Sequence, residues 1–302
     1  MSLSINEAAA LLKAGGIVAF PTETVYGLGA NALDAAAVAK IYELKGRPPT
    51  SPVIVHASSI EMARKLVSDW PPLAEELAQR WWPGPLTLVL PKAASIPDIV
   101  TAGLPTVGVR VPAHPLALQL IEEAGVPLAA PSANRFTELS PTTAEHVRRA
   151  FGDDVPVLDG GPCAVGLEST VVSIADGKLT LLRPGMISIV EIESVASPDP
   201  GDAAHLAPGM HPRHYSPRTP LLLVASADHL PNRFGAFAWR RKPGGTLCSI
   251  RMPMKPAEYA ARLYSVLHRL DVEGWNWIAV ELPPSKPEWA AIHDRLRRAA
   301  GR

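Results

Sequence analysis

Two cations flank a glycine in the segment Lys45-Gly-Arg47-Pro-Pro-Thr-Ser51. Lysine offers a point charge and arginine a planar fork of donors, and together they suit the oxygens of a polyphosphate. A basic helix C-terminus is the simpler interpretation, because cations there stabilise the helix dipole by about 0.3–1 kcal/mol. That interpretation explains Lys45 but not the proline-stiffened loop that follows it. The segment therefore indicates either a helix cap or part of an anion site.

Further polar residues stand beside apolar, strand-like runs. Three of these groups are the loops Pro131-Ser132-Ala-Asn134 and Glu168-Ser169-Thr170 and the turn Arg183-Pro-Gly185. The fourth is Arg110, which lies inside the apolar run Val107–Val111. Ligands of α/β sheets gather where strands end. A turn that satisfies its own backbone would explain the first loop alone. A half-buried arginine nevertheless needs a partner, and an anion is the simplest one. The set therefore indicates a single anion-binding site.

The signatures of other chemistries are missing. The sequence contains no G-x-S-x-G, H-E-x-x-H or Walker motif, and neither Cys163 nor Cys248 has a neighbouring histidine. Gly27-Leu-Gly-Ala-Asn-Ala32 matches the dinucleotide fingerprint, but that motif must directly follow a strand. Here residues 21–26 separate it from the strand predicted to end at Phe20. We therefore do not expect a dinucleotide site.

The histidines leave alternatives open. His56 ends a strand-like segment, where a polar ligand and a hydrogen-bonded core position are equally compatible with the sequence. His205, His211 and His214 lie in a proline-rich segment, where zinc binding is conceivable although no cysteine or carboxylate completes a set. We assign no metal ligands to protein side chains.

Charge divides the chain of 302 residues. Its 29 basic and 29 acidic side chains cancel, yet residues 1–200 hold 21 acidic and 14 basic ones, and residues 201–302 hold 8 and 15. This asymmetry favours two domains, and the basic excess fits a solvated face at least as well as a nucleic-acid site. We expect no membrane span and no signal peptide, and two isolated cysteines are typical of a reducing cytoplasm.

The elements that must position these residues alternate between helix and strand. Helix caps are predicted at Ser4/Glu7, Asp34, Ser58/Glu61 and Thr142/Glu145. These belong to an α/β unit over residues 1–195, whose sheet should be mixed because the 174–179 connection is too short for a parallel crossover. Residues 196–217, with five prolines, form a linker or functional loop. A second, small α/β domain is predicted over residues 218–302.

The motifs, taken in order, resemble those of the YrdC-type threonylcarbamoyl-AMP synthases. The resemblance is carried by Phe20-Pro-Thr-Glu-Thr-Val-Tyr-Gly-Leu-Gly29, Lys45-Gly-Arg-Pro48, Ile54-Val-His56, Trp82-Pro-Gly-Pro-Leu-Thr87, Val109-Arg-Val-Pro112, Ala130-Pro-Ser-Ala-Asn134, Ser140-Pro-Thr142, Glu168-Ser-Thr-Val-Val172 and Arg183-Pro-Gly185. Residues 208–217 resemble the linker of the longer, two-domain form. Two departures are Phe136-Thr137, where the family often has Ser-Gly, and His211-Pro-Arg-His-Tyr215, where Lys-Tyr-Arg-His-Tyr is usual.

The resemblance implies an α/β fold: a mixed twisted sheet with a large concave cleft, followed by a small C-terminal Rossmann-like α/β domain. It implies that L-threonine, bicarbonate or CO2, and ATP become L-threonylcarbamoyladenylate and pyrophosphate, with Mg²⁺ accompanying the nucleotide. The product would pass to proteins that transfer the threonylcarbamoyl group to tRNA, in the cytoplasm. A weak direct contact with tRNA is a further option, most naturally on the basic C-terminal part.

The resemblance also implies roles for individual residues. Lys45 and Arg47 are the expected catalytic cations. ATP is expected to contact Lys45, Arg47, Ser51, Thr106, Ser132, Asn134, Ser140, Arg183, His214 and Tyr215, the last two as part of a lid. Threonine is expected to contact Thr24, His56, Arg110, Ala130 and Ser169.

Two other functions remain as alternatives. A non-catalytic module on the same fold could bind double-stranded RNA through shape and phosphate contacts, which would not require cations around one pocket. Carbamoyl transfer for metal-centre maturation is the second, but it usually occurs with zinc-finger and acylphosphatase segments that this sequence does not contain.

Overall fold

The computed structural model describes residues 3–175, 178–194, 214–226, 229–231, 235–239 and 248–301. The strands of the N-terminal part are β1 (Val18–Phe20), β2 (Gly27–Asn31), β3 (Ile54–His56), β4 (Leu86–Pro91), β5 (Thr106–Arg110), β6 (Leu128–Ala129), β7 (Thr170–Ala175) and β8 (Lys178–Arg183). Its helices are α1 (Ile5–Lys13), α2 (Ala35–Lys45), α3 (Ile60–Arg64), α4 (Pro72–Trp81), α5 (Asp98–Thr101), α6 (Pro115–Ala124), α7 (Ala144–Phe151) and α8 (Ile189–Glu193).

These strands form one mixed sheet in the order β1-β2-β6-β3-β5-β4-β7-β8. The pairs β3–β5 and β4–β7 are parallel, whereas β4–β5 and β7–β8 are antiparallel. The short connection before Lys178 therefore joins an antiparallel pair, as the sequence predicted. This strand order brings the ends of β3, β5, β7 and β8 to one region, although they are far apart in the chain.

Apolar side chains hold helices against the sheet. Val55, Leu88 and Val109 of the central strands pack with Leu77 of α4 in one cluster. A second cluster joins β1 to α1 and α6. The sheet is thereby fixed, and the polar loops at its strand ends can be held in place without contributing to the core.

A second sheet lies in the C-terminal part. Its strands are β9 (Leu221–Val224), β10 (Ala236–Trp239), β11 (Cys248–Arg251) and β12 (Ile278–Glu281), and its helices are α9 (Pro256–Asp271) and α10 (Ala290–Ala299), the latter preceded by a 3-10 turn at Pro287–Trp289. The order β11-β10-β12-β9 is parallel throughout the described pairs. Parallel strands need crossover connections, and α9 supplies the one that leads from β11 to β12. The expected small Rossmann-like α/β domain is confirmed.

Several local predictions are confirmed and others are wrong. Ser4 forms a complete capping box and Asp34 caps α2, as predicted. The caps predicted at Ser58 and Thr142 are wrong by one residue: Ser59 and Thr143 have the extended backbone that an N-cap needs, and their hydroxyls accept the N–H three residues later.

The segment resembling a dinucleotide fingerprint is strand β2, paired antiparallel with β1. Its glycines have a packing role, because a Cβ on Gly29 would stand 2.7 Å from the Phe20 ring. This agrees with the absence of a dinucleotide turn expected from the sequence.

Of the three histidines in the zinc hypothesis, His214 is described, whereas His205 and His211 lie outside the described residues. Pro212 and the predicted boundary at residue 195 also lie outside them. Of the linker over residues 196–217, the described part is 214–217. Among the helices that the structure describes, none combines the length and apolar character needed to cross a membrane.

Candidate functional site

A cavity that is partly open to solvent lies where these strand ends converge. Its walls are formed by Thr22, Thr24, Val25, Gly27, Arg47, Ile54, His56, Arg110, Ala130, Pro131, Ser132, Glu168, Ser169, Arg183, His214 and Tyr215. The parallel pairing of β3 with β5 sets His56 beside Arg110, and the pairing of β7 with β8 sets Arg183 beside Val171. Sheet topology therefore gathers most of the residues that the resemblance assigned to ligands.

Arg110 is held on three sides at the end of β5. Its Nε donates to the Gly84 carbonyl at 3.1 Å and its Nη1 to Thr24 Oγ1 at 2.9 Å. Its Nη2 lies 2.7 Å from Glu23 Oε1, without the alignment of a hydrogen bond. The guanidinium is thus fixed before any ligand arrives, which suits recognition of a carboxylate.

Lys45 occupies the last turn of α2, which ends at the left-handed Gly46 (φ 62°). Its Nζ donates to the carbonyl oxygens of Ser132, at 2.6 Å, and Asn134. Burial, together with the neighbouring Arg47, holds the pKa of Lys45 well below its ordinary value. Lys45 therefore supports the Pro-Ser-Ala-Asn loop from behind the cavity wall.

Arg47 emerges after the glycine and faces the cavity. Its Nε and Nη2 donate to the carbonyl oxygens of Ser51, at 3.1 Å, and Pro52, at 2.8 Å. Its guanidinium also lies over the Phe136 ring, 5.8 Å from the centroid. Because carbonyl oxygens anchor it without cancelling its charge, Arg47 can attract an anion.

Arg183 is buried at the end of β8 and is tied to the start of β7. Its Nε and Nη2 donate to the Ser169 carbonyl at 3.1 and 3.0 Å, and Nη2 also lies 3.1 Å from Ser169 Oγ. The Ser169 hydroxyl in turn shares a 2.8 Å hydrogen bond with Thr87 Oγ1. A residue predicted to bind ATP and one predicted to bind threonine are therefore mechanically coupled.

His56 is a buried, neutral imidazole in the cavity wall. Burial, reinforced by the charge of Arg110, lowers its pKa to about 3. The Phe20 ring meets it edge-on at 6.1 Å, and its Nδ1 has no hydrogen-bond partner within the described part of the chain. The imidazole can therefore offer hydrogen bonding to a ligand without adding charge.

Glu168 is the carboxylate among the described lining residues, and residues of both domains hold it. Ser140 Oγ and Tyr264 OH donate to it, and Arg295 Nε lies 2.7 Å from its Oε2. Burial opposes its ionisation, but Arg295 and then Arg183 outweigh burial and keep the pKa of Glu168 below its ordinary value. The C-terminal domain therefore reaches the cavity wall through this carboxylate.

His214 and Tyr215, at the end of the linker, lie over the same cavity. The His214 ring meets Phe136 at 5.6 Å and Tyr215 at 4.2 Å, both edge-on. Burial, followed by Arg47 and Lys45, holds the pKa of His214 well below its ordinary value. The structure thus places both residues of the expected lid against the cavity.

The structure places the remaining predicted residues around the cavity rather than in its wall. Asn134 donates to the backbone of its own loop, Ser140 donates to Glu168, and Ser51 offers its carbonyl to Arg47. Thr106 begins β5, four residues before Arg110, and does not line the cavity.

Sequence reasoning did not single out Glu168 or its partner Arg295 as functional residues. Position 168 was quoted only as part of a motif. The pair is separated by 127 positions, so no local signal could have joined them.

Fold and site together define a class. This is a two-domain α/β protein whose cavity is lined by fixed cations, two histidines of lowered pKa and several hydroxyl groups. Two hydrogen bonds described for these hydroxyl groups, Thr22–Thr24 and Thr87–Ser169, join them to other hydroxyl groups and not to an activating base. Such a cavity has the charges and donors needed to hold and orient an anion.

A family model described as telomere recombination matches residues 10–185, and one described as threonylcarbamoyl-AMP synthase, C-terminal domain, matches residues 187–301. A threonylcarbamoyl-AMP synthase of Bacillus subtilis is 43% identical over 98% of this chain and 93% of its own length. One of Schizosaccharomyces pombe is 36% identical over 94% and 84%. The crystal structure of Pyrococcus abyssi Sua5 complexed with L-threonine superposes with a TM-score of 0.91, at 39% identity over 98% of this chain and 94% of that one. The chain belongs to the two-domain threonylcarbamoyl-AMP synthase family.

Proposed function

We propose that this chain makes L-threonylcarbamoyladenylate and pyrophosphate from L-threonine, bicarbonate and ATP. The observation that carries the proposal is the convergence of Arg47, Arg110 and Arg183 on one cavity. The family membership and the L-threonine in the related P. abyssi structure support it. The cations stand inside a cavity rather than along an open face, which favours this function over duplex RNA binding.

The reaction needs positioning more than a protein nucleophile. The threonine amine adds to CO2 with loss of a proton, or condenses with bicarbonate with loss of water, and becomes a carbamate. A carbamate oxygen then attacks the α-phosphorus of ATP, and the bond from that phosphorus to the oxygen of the leaving pyrophosphate breaks. The carbamate and the ATP phosphates are both anions and repel each other. Fixed cations and hydrogen-bond donors therefore supply the catalysis, because they offset this repulsion and hold the two groups in position. The lid residues would limit water access to the mixed anhydride.

We assign the two substrates to neighbouring parts of the cavity. Arg110 would hold the threonine carboxylate, and Thr24, His56, the Ala130 backbone and Ser169 would surround the rest of the amino acid. The ATP phosphates would meet Arg47 and Arg183, with Ser132 on the same side. Lys45, Ser51, Asn134 and Ser140 would shape that region, and His214 and Tyr215 would close it. Thr106 lies away from the described wall, and we place it at the far end of the nucleotide.

Mg²⁺ would enter with the nucleotide. The described residues include no group of three or more histidine, cysteine or acidic side chains able to hold a metal ion, and Glu168 is already paired with Arg295. Phosphate oxygens and water satisfy magnesium in many nucleotide sites, and we propose that arrangement here.

We further propose a cytoplasmic enzyme whose product passes to proteins that transfer the threonylcarbamoyl group to tRNA, with any direct tRNA contact on the basic residues after 200. The division at 1–195, 196–217 and 218–302 is retained as part of this proposal.

One assay tests the function. Purified protein is mixed with ATP and bicarbonate, and pyrophosphate release is measured with and without L-threonine. Release that depends on threonine is expected, together with an adenylate product of the correct mass. No release, or release independent of threonine, would refute the proposal.

A further inference from the structure

The C-terminal domain contributes charge to the cavity through one buried side chain. Arg295 of α10 is fully buried, and its Nε donates to Glu168 Oε2 at 2.7 Å. Tyr264 of α9 donates to the same carboxylate at 3.2 Å. Glu168 shares the cavity wall with Arg47 and Arg183. A carboxylate there would repel an anionic ligand unless its charge were offset.

The charges around Glu168 show what offsets it. Arg183 and Arg295 both act on the carboxylate, while Arg295 Nη1 lies 2.5 Å from Asp294, which Arg298 also contacts at 2.9 Å. Around Glu168 itself, Arg183 and Arg295 leave a net charge of +1, and removing Arg295 would bring it to zero. Asp294 and Arg298 pair with each other one step further from Glu168, so their charges cancel. A change of one unit charge acts strongly on a nearby anion inside a protein, because the effective dielectric constant there is far below that of water.

We propose that Arg295 is a positioning residue for ATP binding. Arg295 holds Glu168 and so prevents this carboxylate from repelling the ATP phosphates at Arg183. The inference rests on the proposed function, because it takes ATP to be the anion. Arg295 does not line the cavity in the described structure. It acts through Glu168, and the C-terminal domain thereby sets the charge of a site built on the other domain.

The Tyr215 ring adds a connection to the linker. It lies over the Arg295 guanidinium, 5.1 Å from the ring centroid, and its own ring is 6.0 Å from that of Tyr264. A cation–π contact of this kind fixes both partners. One arginine therefore holds the cavity carboxylate and seats the end of the lid.

Arg295 could instead have a purely structural role, in which case its loss would lower stability without a specific effect on ATP affinity. Breaking a buried ion pair leaves a charge without its partner, so any loss of Arg295 should lower stability whether or not ATP is affected. Stability alone cannot separate the two roles. The affinity for ATP in variants that also neutralise Glu168 can.

The experiment measures ATP binding by calorimetry with the full chain, and KM for both substrates. Arg295→Met should raise the Kd for ATP at least tenfold, about 1.4 kcal/mol, while the KM for threonine changes less than threefold. Adding Glu168→Gln to Arg295→Met should restore the Kd to within threefold of the wild-type value. Glu168→Gln alone should bind ATP at least twofold more tightly. Arg298→Met, which removes another ion pair of Asp294 on the same helix, should bind ATP as the wild type does.

The proposal is overturned if the double variant binds ATP as weakly as Arg295→Met, or if Glu168→Gln alone gains no affinity. The latter variant decides the matter even if Arg295→Met does not fold. The wild type is measured first: absence of ATP binding or of threonine-dependent pyrophosphate release there would refute the proposed function instead. A functional wild type and an Arg295→Met variant with unchanged ATP affinity would overturn only the role of Arg295.

Discussion

Arg110 and Arg47 are fixed by different partners, and the difference matches the two substrates proposed for the cavity. Arg110 has Glu23 beside it, so much of its charge is balanced before a ligand binds. Arg47 is anchored by the carbonyl oxygens of Ser51 and Pro52, which leave its charge uncancelled. A balanced cation suits a small zwitterion, whereas uncancelled cations suit a polyphosphate. Both are preorganised, so little ordering is required during the reaction.

Lys45 provides a test of the loop that it supports. Lys45→Met removes the donor to the carbonyl oxygens of Ser132 and Asn134, and a buried acceptor left without its partner costs about 1–3 kcal/mol. We expect the Kd for ATP to rise more than tenfold while the far-ultraviolet circular dichroism stays that of the folded chain. Lys40→Met, on the exposed side of the same helix, is the control. Wild-type ATP affinity in Lys45→Met would contradict the placement of this lysine.

His56 should make stability sensitive to acid. Its pKa of about 3 in the folded protein lies below the ordinary value of 6.5, so between these values the unfolded chain binds a proton that the folded chain refuses. Stability is therefore fully present above about pH 6.5 and falls as the pH drops, by about 2 kcal/mol at pH 5 for this group. Urea unfolding at pH 7 and pH 5 measures the loss. His56→Asn should show a smaller loss, and an equal loss in variant and wild type would contradict the argument.

At the scale of elements, the regular pattern of the strands was predictable and the exceptions have physical reasons. The apolar runs that became β3, β4, β5 and β9 are visible in the sequence because buried strands are continuous and apolar. Strand β2 was missed because its glycines suggest a turn, and they are instead required where the strand passes the Phe20 ring.

The candidate site was predictable in its composition but not in its architecture. The motifs and the resemblance together named Arg47, Arg110 and Arg183, which the structure places in one cavity. The motifs did not show that Arg183 is hydrogen-bonded to Ser169 or that Arg295 pairs with Glu168. Such contacts depend on strand order and on the packing of the domains. In the sequence, Arg295 also resembles a residue of a solvated helix face, because α10 carries Arg297 and Arg298 close by.

The junction of β7 and β8 can be tested through Gly185. A Cβ at this position would stand 2.3 Å from the Thr170 backbone nitrogen, so an alanine must displace the start of β7. Because Ser169 and Arg183 are bonded there, Gly185→Ala should weaken binding of both threonine and ATP at least tenfold. Gly108→Ala in β5, whose added Cβ would meet its nearest atom at 3.3 Å, should affect both far less. Loss of only one ligand would argue against the coupling.

At the scale of the whole molecule, the two domains meet beside the cavity rather than at a distance from it. His268 of α9 donates from Nε2 to the Ser140 carbonyl at 3.0 Å and stacks on His146 of α7, with ring centroids 3.9 Å apart. Burial lowers the pKa of both rings, to about 4 for His268 and about 3 for His146. Ser140 also bonds Glu168, so the interface and the cavity wall share a residue.

Gly166 gives the sharpest test of that interface. It has a positive φ of 75°, and a Cβ there would lie 2.6 Å from Ala261 Cα on α9. Gly166→Ala should push α9 away, withdraw Tyr264 and Arg295 from Glu168, and weaken ATP binding at least tenfold. Small-angle scattering and limited proteolysis should show the separation. Gly161→Ala, at φ 77° with open space around it, carries the same backbone strain of about 1 kcal/mol without the clash. Equal effects of the two substitutions on ATP affinity would mean that strain, and not domain contact, is responsible.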